Sequence, residues 1–117
     1  MHIQLRPDTR SPIIEVVEAV LSIQDALSIV SASHENATSK VLLRAELLPP
    51  EFFELQTRFA GEFIQKLVNH RLSVAGVFRE DLAVNERFRE YVGEARRGRQ
   101  FRSFSLEGEA VAWLETQ

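Results

Sequence analysis

Residues 72–78 read LSVAGVF, a run with no charged side chain. Successive side chains of a strand point to opposite faces. A run that is apolar at both parities therefore leaves no face for water, which is the habit of a parallel strand covered on both sides. Strict alternation sets Val74 with Gly76 and Phe78, and Ala75 with Val77. Both sets are expected to be buried. This segment makes the chain an α/β protein, and the elements on either side of it are read to fit.

Upstream lies FFELQTRFAGEFIQKLVNHR, residues 52–71. Phe52, Phe59, Ala60, Phe63, Ile64, Leu67 and Val68 recur at helical spacing, so one long helix is expected from about Pro50 to about His70. Earlier still, Val41–Leu48 reads as a strand ended by Pro49 and Pro50. Ser22 reads as an N-cap with Asp25 in a capping-box position, opening a helix to about Ser33. The β-branched run Ile13–Leu21 and the short His2–Leu5 read as strands forming a hairpin around Pro7 and Pro12.

Downstream, Asn85 is expected to cap a helix carrying Phe88, Tyr91, Val92 and Ala95. Gly98 stands where a left-handed residue often closes a helix. Phe101–Ser105 reads as a strand. Ser105 is expected to cap a last helix with Leu106, Ala110, Trp113 and Leu114 on one face. The order ββαβαβαβα predicts a single open, mixed, mostly parallel sheet of about five strands with helices packed on it. In such sheets ligands and partners meet the loops beyond the strand C-terminal ends. Here those loops begin near Leu21, Leu48, Phe78 and Ser105.

Composition narrows the function. The chain has 117 residues, which fits one domain over residues 1–117. The net charge of -3 argues against nucleic-acid binding by the whole surface. There are no cysteines, which excludes disulfides and thiolate chemistry and fits a reducing, cytoplasmic setting. No apolar run approaches a membrane span, and the polar opening MHIQLRPDTR does not read as a signal peptide. His2, His34 and His70 share no metal-ligand spacing, and no phosphate-loop, dinucleotide or nucleophile-elbow motif occurs, so no metal or cofactor is expected.

Three groups of residues are candidates for a site. The first is the start of the long helix. Gln56 falls inside the apolar arc, and Thr57 and Gly61 border it beside Arg58. Gly61 would admit a neighbouring backbone, and Gln56 would meet a loop or a partner. The second is a set of carboxylates, Glu46, Glu80 and Asp81, where acid–base work or ion binding would use the strand C-terminal edge. The third is an arginine-rich segment: Arg87, Arg89, Arg96, Arg97, Arg99 and Arg102, opposed only by Glu90 and Glu94. Arg96 and Arg97 end a helix, where cations are favoured. With Arg99 they form the anion-binding alternative.

The run LPPEFFELQTRFAGEFIQKLVNHRLSVAGVF, with REYVGEARRGRQFRSF and EAVAWL after it, resembles a family of small bacterial proteins, the domain of unknown function 4180. Phe52, Phe53, Leu55, Thr57, Ala60, Gly61, Glu62, Gln65, Lys66, Asn69 and Arg71 match the family's helix motif. Arg58 stands where the family tends to have glycine, and His70 where it tends to have tyrosine. The resemblance implies no catalytic residues. The element order also looks like the sulfate transporter and anti-sigma factor antagonist domain. In that fold a serine or threonine precedes Gly-Leu near a helix start, and LQTRFAG would place Thr57 there. These readings lead to an expectation: a non-enzymatic cytoplasmic module for protein interaction or regulation, with an unknown protein partner and its working surface near the start of the long helix. A small enzyme or ligand-binding protein using the edge carboxylates is the alternative, and assembly into a homo-oligomer a further one.

Overall fold

A computed structural model describes residues 1–7, 9–79 and 85–117. The strands are β1 (Ile3–Leu5), β2 (Ile14–Val16), β3 (Lys40–Arg44), β4 (Ser73–Val77) and β5 (Phe101–Phe104). They form one five-stranded sheet in chain order, β1-β2-β3-β4-β5. β1 pairs antiparallel with β2, and every later pair is parallel. The helices are α1 (Asp25–Glu35), α2 (Phe59–Asn69), α3 (Glu86–Ala95) and α4 (Glu107–Glu115). The expected order of strands and helices is the observed one.

Chain-ordered strands explain where the helices lie. A right-handed crossover that always steps the same way across a sheet returns each helix to the same face. Residues of α1, α2 and α3 accordingly share one core with Ile14, Val16, Val41, Leu43, Val74 and Phe78. Only α4 packs on the other face, where Ala110 and Leu114 meet Ile13, Leu42, Ala75 and Val77. β4 is buried at both parities as its composition requires, with Val74 and Ala75 fully enclosed. Gly76 is a space requirement on the three-helix face: a Cβ there would lie 2.5 Å from the Phe78 ring and 3.1 Å from Phe101.

The largest departure from expectation is the long helix. Residues 50–58 are not α-helical. Two 3₁₀ turns, Pro50–Phe53 and Leu55–Thr57, lead into Arg58, and α2 begins only at Phe59. Arg58 is left-handed, with φ 62° and ψ 7°. The break rotates the chain so that Phe52 still enters the core. Its ring is enclosed by Phe59, Phe63, Phe78 and Phe88 at centroid distances of 5.8–6.4 Å. Gln56, which a continuous helix would have driven into that core, instead turns out to solvent. An amide cannot enter an aromatic core unpaired without a penalty of about 1–3 kcal/mol. Breaking the helix removes that penalty.

Other boundaries move for local reasons. β2 ends at Val16, not Leu21, and Val20 N–H instead donates to Leu47 O at 2.7 Å. β3 ends at Arg44 and gives way to a 3₁₀ turn, Ala45–Leu47. Ser22 is not the N-cap of α1, which begins at Asp25 after Gln24; the Ser22 and Leu21 N–H groups instead donate to the Asp25 carboxylate. Asn85 caps α3 as expected, its Oδ1 accepting from Phe88 N at 2.9 Å. Ser105 does not cap α4, whose preceding residue is Leu106 with no side-chain cap. Gly98 is not left-handed. It is needed for another reason, since a Cβ there would sit 1.8 Å from the Phe101 carbonyl oxygen.

Candidate functional site

The segment Glu51–Arg58 lies at the strand C-terminal edge, between the end of β3 and the start of α2. Thr57 organises it. Its Oγ1 lies 2.6 Å from Glu51 O and 2.7 Å from Glu54 O, and it accepts from Phe59 N–H at 3.2 Å. The single hydroxyl proton is thus shared between a carbonyl of the first 3₁₀ turn and that of Glu54 between the turns, while the oxygen accepts from one of the free donors of α2. Asn85 Nδ2 donates to Phe53 O at 3.0 Å and ties the start of α3 to the same segment. On this frame Glu51, Glu54, Gln56, Thr57 and Arg58 are all exposed. Gln56 donates only to Glu54, at 3.2 Å.

Arg58 is placed by this frame rather than by its own preference. A left-handed conformation costs a residue with a Cβ roughly 1–2 kcal/mol, and glycine avoids that cost. Arg71 repeats the pattern at the far end of α2, with φ 60°. Gly61 is a correction. It is exposed on the first turns of α2, and a Cβ there would meet nothing within 4 Å. It admits no neighbouring backbone.

Of the carboxylates, Glu46 is exposed in the turn after β3. Glu80 and Asp81 lie outside the described residues. Of the arginines, Arg96 Nη2 donates to Ser105 Oγ at 3.4 Å. Arg97 lines an open groove on α3 with Glu90, Gly93 and Glu94. Arg99 is exposed before β5. Arg102 does not join them: its Nε donates to Gly98 O and its guanidinium lies over Trp113 at 5.6 Å. The structure therefore brings Gln56, Thr57 and Arg58 together and separates them from the arginines beyond α3.

A four-charge cluster on the α4 face was missed in the sequence. Arg44 Nη1 lies 2.7 Å from Glu15 Oε2, and Arg44 Nη2 lies 2.6 Å from Glu107 Oε1. Arg6 Nη1 approaches the same carboxylates at 3.5 and 3.1 Å. Burial alone would raise the Glu107 carboxyl, but hydrogen bonds and charge from Arg44 and Arg6 hold it below the ordinary glutamate range. Burial would lower Arg44, and its bonds to Glu15 and Glu107 raise it instead. The only signal in the sequence was parity. Glu15 is the one charge of β2, and Arg44 with Lys40 one of the two cations of β3, on the face that Ile13 and Leu42 share. The cluster is internally neutral and pins the first turn of α4 to β2 and β3. Among the described residues no group of His, Cys, Asp or Glu could hold a metal ion.

The family described as domain of unknown function (DUF4180) matches residues 10–114. The chain belongs to that family. No curated protein and no solved structure matches it. Among the described residues no helix is long and apolar enough to cross a membrane. The glycine that the resemblance puts at position 58 would fit this left-handed conformation without strain.

Proposed function

We infer that the chain is a non-enzymatic module for protein interaction or regulation, and that its working surface is the strand C-terminal edge around the start of α2. The observation that carries this reading is the placement of apolar side chains. Leu21, 78% exposed, follows β2, and Leu106, 62% exposed, follows β5. Both strands run parallel, so both leucines stand at the edge that also carries Gln56 and Arg58. A single exposed leucine is ordinary, whereas two at one edge, with polar groups between them, fit the two ends of a docking surface. The occupant on this reading is a partner protein. The likeness of the element order to the anti-sigma factor antagonist domain supports a regulatory role, with Thr57 near the position that fold uses.

The test is capture from a lysate of the source cells, read by mass spectrometry. Leu21→Ser and Gln56→Ala baits should lose a partner that the parent bait retains, with unfolding midpoints unchanged. An identical set of captured proteins for all three baits would place the working surface elsewhere.

A further inference from the structure

We propose that the opposite edge of the sheet is a second, basic docking surface, built from Arg71, Arg97 and Arg99, and that it takes an acidic segment of a partner protein. Charge segregation is the first ground. Residues 66–71 and 96–100 together hold Lys66, Arg71, Arg96, Arg97 and Arg99 and no acid, in a chain whose net charge is -3; the acids that come near are Glu90 and Glu94 of α3, in the groove beside Arg97. The sheet brings the two segments together. Val74 pairs with Phe101, and its N–H donates to Gln100 O at 2.7 Å. Arg71 and Arg99 therefore enter neighbouring strands, which run about 5 Å apart. Arg71, Arg97 and Arg99 are exposed. None of the three forms an ion pair among the described residues; the pairs there lie in the cluster of Arg6, Glu15, Arg44 and Glu107. Arg96 turns away toward Ser105 and is left out.

The backbone of Arg71 is the second ground. The end of α2 is closed by two main-chain bonds, Arg71 N to Val68 O at 2.8 Å and Leu72 N to Leu67 O at 3.3 Å, with His70 Nδ1 lying 2.9 Å from Lys66 O beside them. This is the Schellman arrangement, whose left-handed residue is usually glycine. The turn makes no use of the Arg71 side chain, yet the strained position carries one. Ala37 closes α1 in the same left-handed way with only a methyl group, so what sets Arg71 apart is the charge it holds at this edge.

The kind of partner follows from chemistry. Guanidinium forks fit carboxylates and phosphates in paired hydrogen bonds. Neither segment contains Phe, Tyr or Trp, so there is no platform for stacking bases. The surrounding protein is acidic overall, which opposes a long polyanion more than a short acidic stretch. The surface lies at the other end of α2 from the edge around Gln56. The two surfaces can be occupied at once, and this one stands whether or not the first is used.

Fluorescence anisotropy tests it with two labelled probes, a short peptide rich in Glu and a single-stranded oligonucleotide, at low salt and at about 0.15 M. The peptide should bind, and more weakly as salt rises. The Arg97→Glu/Arg99→Glu double variant should weaken it by about tenfold or more. Arg71→Gly should also weaken it several-fold, without a lower melting temperature, because glycine accepts the same backbone angles. Absence of peptide binding at low salt would overturn the proposal, as would equal affinity in these variants. Tighter binding of the oligonucleotide would overturn the assignment to an acidic protein.

Discussion

The two ends of α2 share a backbone exception and differ in everything that holds it. At the start, Arg58 is left-handed because side chains force the turn: Phe52 is anchored in the aromatic core and Thr57 Oγ1 holds two carbonyls. At the end, Arg71 is left-handed because main-chain bonds close the helix, with His70 Nδ1 beside them at 2.9 Å from Lys66 O and the Arg71 side chain taking no part. The first turn of α2 carries Glu62, and its last turn carries Lys66 with Arg71 just beyond. Each end thus places acid near helix amides and cations near helix carbonyls, as the helix dipole favours. The lesson is that similar dihedral angles can rest on different supports, so the two ends should respond differently to substitution.

The largest difference should come from Phe52→Ala. Phe52 is fully buried among five other phenylalanines, and its loss should cost about 3–5 kcal/mol in urea unfolding. Nothing at the end of α2 has a comparable anchor. A loss under about 1 kcal/mol would mean that the break before α2 is not held by the core.

A smaller effect is expected from Thr57→Val. It keeps the side-chain volume but removes the hydroxyl that serves Glu51 O, Glu54 O and Phe59 N. The site is exposed, so water can replace part of these bonds, and about 1 kcal/mol should be lost. Hydrogen exchange should quicken at Phe59 and Ala60 and stay unchanged at Arg71 and Leu72. Equal quickening at both ends would erase the distinction between them.

Much of the fold was legible because it rests on local pattern. The burial of β4 at both parities follows from LSVAGVF alone, and the Asn85 cap from one residue before an apolar period. The break at residues 54–58 was not legible from periodicity. Phe52, Gln56, Phe59 and Phe63 keep the spacing of one helix face, so the period runs straight through the break. The misplaced amide at Gln56 was the visible sign, and it reads equally as a site. Arg58 hid the turn, since arginine does not advertise a left-handed conformation as glycine does. The cluster of Arg6, Glu15, Arg44 and Glu107 was out of reach for a different reason. Its members are brought together by sheet order and by the docking of α4, which no local window contains.

On the proposed reading, Arg58 occupies its strained position for the sake of its side chain, at the edge where a partner would dock. Arg58→Gly tests it, with thermal melting and partner capture measured on the same preparation. Relief of the left-handed strain should outweigh the added freedom of the unfolded chain. Stability should then rise by about 0.5–1 kcal/mol, a few degrees in melting temperature, while capture weakens. A variant that melts higher and captures its partner as well as the parent would contradict the claim, and the strain at Arg58 would have no part in binding.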